Sequence, residues 1–323
     1  MKRTETIVVC GAISLFVLLG LFLLWLGAKN LWRGYASTGW PVADGVVRNA
    51  EVVSDSETTS AEIEIAYEVG GRTYTTGTLH FGQTLGSGDS SEAQLRALRY
   101  AKGRRVPVRY QPSDPWVACT EPGVHSDAFW LPGAGLSFGL PGVMFLLFYF
   151  STTRKSGQRP LFKMGLHLFA LIFGLIGAAM LWGGLHRLWQ ANASLQWPEA
   201  DAEIVYAGED SSTTYDEEDD TESTSYATNL VFRYSVNGRT HYSNLRRIGQ
   251  LAGASEEWAT AIARQYPKGK RLTVRVDPAD ADVAVIEPGI GSESYWLPGA
   301  GAAFLIFGLL VASFGIPALT REF

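Results

Sequence analysis

Long apolar runs alternate with polar segments along this chain. Four runs contain no Asp, Glu, Lys or Arg, and they occupy residues 6–28, 131–150, 164–184 and 297–316. Each reaches the length of about 20 residues that a helix needs to cross a bilayer. The polar segments between them occupy residues 29–130, 151–163 and 185–296. The pattern predicts four transmembrane helices that carry two water-soluble domains.

The first apolar run has the basic flank of a secretory signal peptide, because Lys2 and Arg3 precede it. It is longer than a typical signal-peptide core, and no small-x-small cleavage site follows before Trp32. We therefore expect a retained membrane anchor.

The charge of the short segment 151–163 predicts the orientation of the spans. It carries four basic residues and no acid. Short loops rich in Lys and Arg stay in the cytoplasm. We expect this loop and both termini on the cytoplasmic side and both domains on the opposite side. Amphipathic tryptophans, which favour the headgroup level, flank the domain side of the spans: Trp25, Trp32, Trp130, Trp182, Trp189 and Trp296.

One stretch of sequence occurs twice. It reads EPGVHSDAFWLPGAG at residues 121–135 and EPGIGSESYWLPGAG at residues 287–301. Other positions recur with matching spacing, such as Trp40-Pro41 and Trp197-Pro198. The whole unit of span, domain and span is therefore a tandem duplication.

Inside each domain the hydrophobic period is that of a β-strand. Large apolar residues alternate with acids over residues 62–69. The pairs Gly70-Gly71 and Asn237-Gly238 follow, and both suit the positive φ angles of a type I′ hairpin turn. This pattern predicts hairpins at equivalent places in the two copies.

One helix is predicted in each domain, at residues 91–100 with Ser91 as N-cap and at residues 256–266 with Ser255 as N-cap. The element order becomes β-β-β-α-β-β. Such an order fits either a small OB-like five-stranded barrel or a half-open sheet covered by one helix. The predicted fold class is an α+β membrane protein with four transmembrane helices and two small, mostly β domains.

The duplicated stretch lies where each domain meets the following span. Glu121, Trp130 and Pro132 are interpreted as a membrane junction, in which the tryptophan sits at the interface and the proline fits the first helical turn. Their counterparts in the second copy are Glu287, Trp296 and Pro298.

Two features inside the spans suggest further roles. Gly135 and Gly139 have the spacing that lets helices approach closely, within the chain or between chains. His167 is an ionisable residue in a span, which marks it as a functional hypothesis. Its position near the cytoplasmic end favours an interfacial role.

The sequence offers no cofactor or metal motif. No histidine aligns with another across the repeat, and no pair has metal-ligand spacing. The acidic run 216–220 lacks the spacing of a calcium loop and is interpreted as a solvated hairpin tip. Cys119 aligns with Val285, which indicates a buried, inert thiol. We expect no catalytic residue, cofactor or metal.

Composition narrows the class of partner. Charged residues make up 18% of the chain, below the about 25% of soluble proteins, and the net charge is −5. This balance disfavours a nucleic-acid partner. The expected partners are the lipid bilayer and a protein, or a second copy of the chain.

The repeated unit resembles a bacterial family of membrane-anchored domains of unknown function. The resemblance is carried by Trp-Pro, Tyr-x-Val-x-Gly-Arg-x-Tyr, Tyr-Pro-x-Gly, Asp-Pro and Glu-Pro-Gly motifs, as in Trp197-Pro198, Tyr67–Tyr74 (with Tyr234–Tyr242, one residue longer, in the second copy), Tyr266–Gly269, Asp277-Pro278 and Glu287–Gly289. The first copy departs from it at Tyr100–Gly103 and Gln111-Pro112. The resemblance implies a bacterial membrane-anchored protein with no assigned reaction. Together with the orientation predicted from the basic loop, we expect a bacterial inner-membrane location with periplasmic domains.

Three functional hypotheses remain. The first is a non-enzymatic scaffold that presents its two β-rich domains to a protein partner or to lipid headgroups. The second is an immunity or regulatory protein that acts through its transmembrane bundle, with His167, Gly135 and Gly139 as the residues to test. The third is an enzyme using Glu121, Glu287, Asp114 or Asp280 as general acids. The repeated residues are turn formers, core apolars and interface aromatics, so we favour the first.

Overall fold

The structure is a computed structural model that describes residues 3–54, 59–83, 90–153, 159–216, 221–250 and 255–315. The first copy comprises, in chain order, α1 (Arg3–Ser37), β1 (Val42–Ser54), β2 (Thr59–Val69), β3 (Arg72–Thr76), α2 (Ser90–Arg99), β4 (Arg105–Gln111), β5 (Asp114–Cys119) and α3 (Trp130–Thr153). The second copy comprises α4 (Arg159–Ala193), β6 (Glu199–Asp216), β7 (Thr221–Val236), β8 (Arg239–Ser243), α5 (Glu256–Gln265), β9 (Arg271–Val276), β10 (Ala284–Val285) and α6 (Trp296–Leu310).

In the described part of the chain, four helical segments are long and apolar enough to cross a membrane. They cover Ile13–Ser37, Ser126–Leu147, Met164–Gln196 and Ser292–Ser313. α1 packs on α3, and α4 packs on α6. α1 and α4 continue beyond the apolar runs, to Ser37 and Ala193, so the first helix of each copy reaches into its domain.

Each domain contains one five-stranded antiparallel sheet, in the order β3-β2-β1-β4-β5 and, for the second copy, β8-β7-β6-β9-β10. Among the described residues no main-chain ladder joins the two edge strands, so the half-open sheet of the two predicted alternatives is the one observed. The edges are linked by side chains instead. Thr76 Oγ1 donates to Ala118 O at 3.2 Å, and Ser243 Oγ donates to Ala284 O at 2.9 Å.

The inner face of each curved sheet forms the core of its domain. The most deeply buried residues of the first core include Val47, Ile65, Tyr67 and Val108. The second core contains Ile204, Phe232, Tyr234 and Val274 at corresponding places. The apolar side of each predicted strand pattern therefore faces inward.

The hairpin predictions are confirmed. Gly70 and Gly71 have φ of 59° and 77°, and Asn237 and Gly238 have φ of 52° and 75°. Both central positions of each turn are left-handed, as a type I′ turn requires.

One N-cap prediction is confirmed and one is wrong. Ser255 Oγ accepts from the Trp258 backbone N–H at 3.4 Å and caps α5. Ser91 was predicted to cap α2, but this helix already includes Ser90. The side chains of both serines face the second domain instead, where Asn229 Nδ2 lies 3.0 Å from Ser90 Oγ and Asn244 Nδ2 lies 3.1 Å from Ser91 Oγ. Both serines at the start of α2 therefore contact the second domain.

The two domains therefore pack against each other through α2. Besides the serine contacts at its start, Arg99 at its end donates to Tyr242 O at 2.8 Å and to Asp282 O at 3.2 Å. α2 thus lies against its own sheet and against the sheet of the second domain.

Candidate functional site: the joint between domain and span

A tight turn joins the last strand of each domain to the following span, and we call this region the joint (residues 121–132 and 287–298). Gly123 and Gly289 adopt φ of +115° and +94°, which disfavours any side chain. A buried serine holds each turn, and it lies at the end of α1 in the first copy and directly after α4 in the second. Ser37 Oγ accepts from Gly123 N–H at 3.1 Å, and Ser194 Oγ accepts from Gly289 N–H at 3.0 Å.

The residues that follow the turn behave alike in the two copies. Trp130 and Trp296 begin α3 and α6 with exposed side chains. Two prolines pack against glycines of the preceding helix: Pro132 against Gly27 and Pro298 against Gly184. A Cβ on Gly184 would lie 2.8 Å from the Pro298 Cα, so this contact depends on the missing side chain. The joint therefore connects both spans of a copy to its domain.

In the first copy the joint contains a network of polar side chains. His80, only 7% exposed, lies between two carboxylates. Its Nδ1 is 3.2 Å from Glu121 Oε2 and its Nε2 is 3.2 Å from Asp127 Oδ2. Tyr100 donates its hydroxyl to the other oxygen of Glu121 at 2.7 Å. Arg96 lies 3.6 Å from Asp127 and pairs with Glu92 in its own helix at 2.5 Å.

A second histidine completes this first network. The ring of His125 stacks on that of His80, with centroids 4.4 Å apart and an interplanar angle of 24°. The Nε2 atom of His125 is buried and has no hydrogen-bond partner among the described residues. Ligand-type atoms of His80, Glu121 and His125 all lie within 4.8 Å of one another.

The second copy has a network of the same shape with different cations. The side chain of Arg246 is 10% exposed and bridges the carboxylates of Glu287 and Glu293. Its Nη1 is 2.6 Å from Glu287 Oε2, and its Nη2 is 2.8 Å from Glu293 Oε1. Arg247 adds a further contact to Glu287 at 2.6 Å. Tyr266 donates to the other oxygen of Glu287 at 2.9 Å, as Tyr100 does to Glu121.

Main-chain contacts fix the correspondence between the two networks. The side-chain oxygen of Gln83 accepts from the N–H groups of Leu79 and His80. The side-chain oxygen of Gln250 accepts from the backbone N–H groups of Arg246 and Arg247 in the same way. His80 therefore corresponds in backbone position to Arg247, whereas its bridging role is taken by Arg246.

The space occupied by His125 in the first copy is filled by Arg247 in the second. Residue 291, the counterpart of His125, is a glycine. A Cβ built on Gly291 would lie 2.9 Å from Arg247 Cδ. The two histidines of the first network are thus replaced by two arginines in the second. Acids remain at the equivalent positions 121 and 287, and at 127 and 293.

These contacts shift the pKa values of the carboxyls. Burial raises the pKa of Glu121, but hydrogen bonds from His80 and Tyr100 outweigh that effect and lower it to about 2. Burial lowers the pKa of His80, and the hydrogen bonds to Glu121 and Asp127 outweigh it, so that the pKa is raised. Burial likewise raises the pKa of Glu287, and Arg247 and Arg246 outweigh it, so that this carboxyl also has a lowered pKa. Both glutamates are therefore ionised at neutral pH.

The other predicted site residues lie away from the joint networks. Gly135 and Gly139 lie against Gly20 of α1, where a Cβ on Gly20 would be 2.6 Å from the Gly139 backbone. His167 is exposed on α4. Cys119 is a buried free thiol whose pKa is raised by burial. Asp216 ends β6, and residues 217–220 lie outside the described part of the chain.

The two aspartates considered as general acids stabilise turns. Asp114 Oδ1 accepts from Trp116 N–H at 3.3 Å, and Asp280 Oδ1 accepts from Asp282 N–H at 3.0 Å. Such contacts are the usual role of aspartate in a turn.

Sequence reasoning identified Glu121 and Glu287 but missed the cations that surround them. A signal for these cations was present. Asp127 of the first copy and Glu293 of the second occupy equivalent positions, so this acid recurs. The basic side chains differ, because the first copy has His80 and His125 and the second has Arg246 and Arg247. Requiring a histidine to align with a histidine concealed this exchange.

Comparisons with known proteins add the family. The family model described as Domain of unknown function (DUF3592) matches residues 43–125 and again residues 200–291, together more than half of the chain. Both matches extend from the first strand of a domain into its joint. No curated protein matches the chain.

The second network generates a stability prediction. We expect Arg246→Ala to destabilise the second domain by about 3 kcal/mol, because it removes the main counter-charge of two largely buried carboxylates. The matched control is Arg233→Ala. It removes the ion pair between Arg233, whose side chain is 50% exposed, and Glu203, whose side chain is 38% exposed. Its cost should be about 0–1 kcal/mol. Denaturant unfolding of the detergent-solubilised chain measures the loss in unfolding free energy for both variants. Equal small losses would contradict the claim that burial strengthens the Arg246 contacts.

Proposed function

The chain belongs to the DUF3592 family in both of its halves, and from that premise we propose that it is a non-enzymatic membrane protein that presents its two joined β-domains to a protein partner. The four apolar helices anchor it in a bilayer. The domains provide the recognition surface, and the joints hold them at a fixed position relative to the spans.

One observation carries this proposal. In the second domain, α2 of the first domain covers a surface formed by Tyr206, Asn229 and Asn244, which it contacts through Ser90 and Ser91. The register of the sheets equates these three residues with Asn49, Glu62 and Gly77 of the first domain. We call this equivalent surface the open face.

The open face borders a cavity of about 530 Å³ lined by Asn49, Glu62 and Gly77 together with Glu64, Glu92 and Arg96. Acids outnumber bases along this lining, so the expected partner segment carries basic or hydroxyl side chains. The chain itself provides a precedent, since hydroxyl groups of a helix occupy the corresponding surface of the second domain.

Charge supports the proposed orientation. The segment 151–163 between α3 and α4 carries only basic charges, which favours the cytoplasmic side of a bacterial inner membrane. Both domains, and the open face with them, then lie in the periplasm.

This topology predicts the behaviour of reporter fusions. A reporter active only outside the cytoplasm, inserted at Gly86 or at Gly157, should be active at the first position and inactive at the second. Both positions lie in segments outside the described residues. Activity at Gly157, or inactivity at Gly86, would reverse or remove the proposed arrangement.

The open face predicts where a partner binds. A photoreactive amino acid at Ala61, which lines the cavity, should form an adduct with a second protein in native membranes at several times the yield obtained at Lys102, an exposed control position. Glu62→Lys should suppress the adduct, because it removes the excess negative charge of the cavity lining. Yields at Ala61 no greater than at Lys102 would refute the proposal.

The same adduct separates the proposal from a function of the transmembrane bundle. If the domains carry the recognition, replacing α3 and α6 with leucine-rich spans should preserve the adduct at Ala61. Loss of the adduct with folded domains would assign the function to the spans.

A further inference from the structure

We infer that the joint of the first copy is a binding site for a divalent transition metal such as Zn²⁺, with His80, Glu121 and His125 as ligands. Linear spacing gave no reason to expect it, since His80 and Glu121 are 41 residues apart. The fold brings them together because the loop after β3 and the turn after β5 lie side by side, where Leu79 O accepts from Glu121 N–H at 2.8 Å.

The distances between the ligand-type atoms suit a small tetrahedral ion. Zinc binds imidazole nitrogen and carboxylate oxygen at about 2.0–2.2 Å, which places two tetrahedral ligands about 3.3 Å apart. His80 Nδ1 and Glu121 Oε2 are separated by 3.2 Å, and one ligand atom from each of the three residues lies within 4.8 Å of the others. Two imidazoles and one carboxylate leave a fourth position open.

The surroundings of these ligands match the outer shell of a metal site. A ligating histidine usually donates its second N–H to a carboxylate, and a ligating carboxylate is itself hydrogen-bonded. His80 has Asp127 at its Nε2, at 3.2 Å, and Glu121 accepts from Tyr100 through the oxygen that does not face His80. Asp127 and Tyr100 therefore act as positioning residues for the two ligands.

His125 contributes the observation that a polar network alone does not explain. Its Nε2 is buried and has no hydrogen-bond partner among the described residues. A buried nitrogen of this kind is costly unless something binds it. A metal ion bound next to the stacked rings of His80 and His125 supplies the missing interaction.

The second copy provides an internal comparison of charge. Arg246 and Arg247 bring two positive charges to Glu287 and Glu293. In the first copy, Arg96 lies 3.6 Å from Asp127, and Zn²⁺ with two neutral imidazoles would add two positive charges beside Glu121. The metal would occupy the place of the two guanidinium groups, and the second copy cannot bind it because arginine does not ligate metals.

Metal titration of the purified full-length chain in detergent tests the inference. After treatment with a chelator, the chain should bind one equivalent of Zn²⁺ saturably in competition with a chromophoric chelator. Co²⁺ should give the visible absorption of a tetrahedral site. His125→Ala should weaken Zn²⁺ binding at least about 10-fold and remove the Co²⁺ absorption.

Two further variants make the result specific. His241→Ala removes a histidine that also lies beside a carboxylate, Asp282 at 2.7 Å, but outside the site, and should leave binding unchanged. Asp127→Asn should weaken binding about 10-fold while the Co²⁺ spectrum keeps its tetrahedral form.

Folding is monitored separately. His125→Ala breaks no hydrogen bond at Nε2 and removes only the ring stacked on His80, so its unfolding midpoint without metal should lie close to that of the parent chain. Zn²⁺ should raise the unfolding midpoint of the parent chain and not that of the variant. Absence of saturable binding, or equal binding by parent chain and His125→Ala, would overturn the inference.

Discussion

A partly buried carboxylate lies at the turn where each domain meets the following span, and its pairing with basic side chains organises both halves of the chain. Glu121 and Glu287 each follow the last strand of their domain after one intervening residue, and each is hydrogen-bonded by a tyrosine hydroxyl and by a basic side chain of the loop after the third strand. Removing the basic partner from a carboxylate that is partly withdrawn from water is destabilising. The loop, the last strand and the turn are therefore held together as one unit, with the buried Ser37 or Ser194 adding the end of the preceding helix.

The two copies meet this requirement with different chemistry. The second uses guanidinium groups, which stay charged at all physiological pH values and leave no metal ligand. The first uses imidazoles, which can be neutral and can ligate a metal. The two copies thus share the geometry of the joint and differ in its basic side chains. The contact between the domains is also unequal, since α2 packs on the second sheet whereas no described helix of the second domain packs on the open face of the first.

The spans, the hairpins and the order of elements along the chain could be predicted because each depends on local pattern: apolar length, positive-φ residues and alternation. The N-cap of α2 could not, because Ser90 and Ser91 contact Asn229 and Asn244 of the other domain, and local rules do not include such contacts. The joint networks were only half predictable. The Glu-Pro-Gly repeat marks the acids, but the pairing of Glu121 with His80 across 41 residues follows from how the sheet curves. Residue alignment hid it further, because Arg246, which takes the bridging role of His80, aligns with Leu79.

Amide hydrogen exchange of the full-length chain in nanodiscs tests most directly whether the paired glutamate holds each joint together. Glu287 N–H donates to Arg246 O at 2.8 Å, and Gly289 N–H donates to Ser194 Oγ at 3.0 Å. In the Glu287→Gln variant, exchange should accelerate at residues 286–289, while the core strands β6 and β7 and the joint at residues 120–123 keep their protection. Unchanged exchange at residues 286–289, or an equal rise throughout the second domain, would contradict the account.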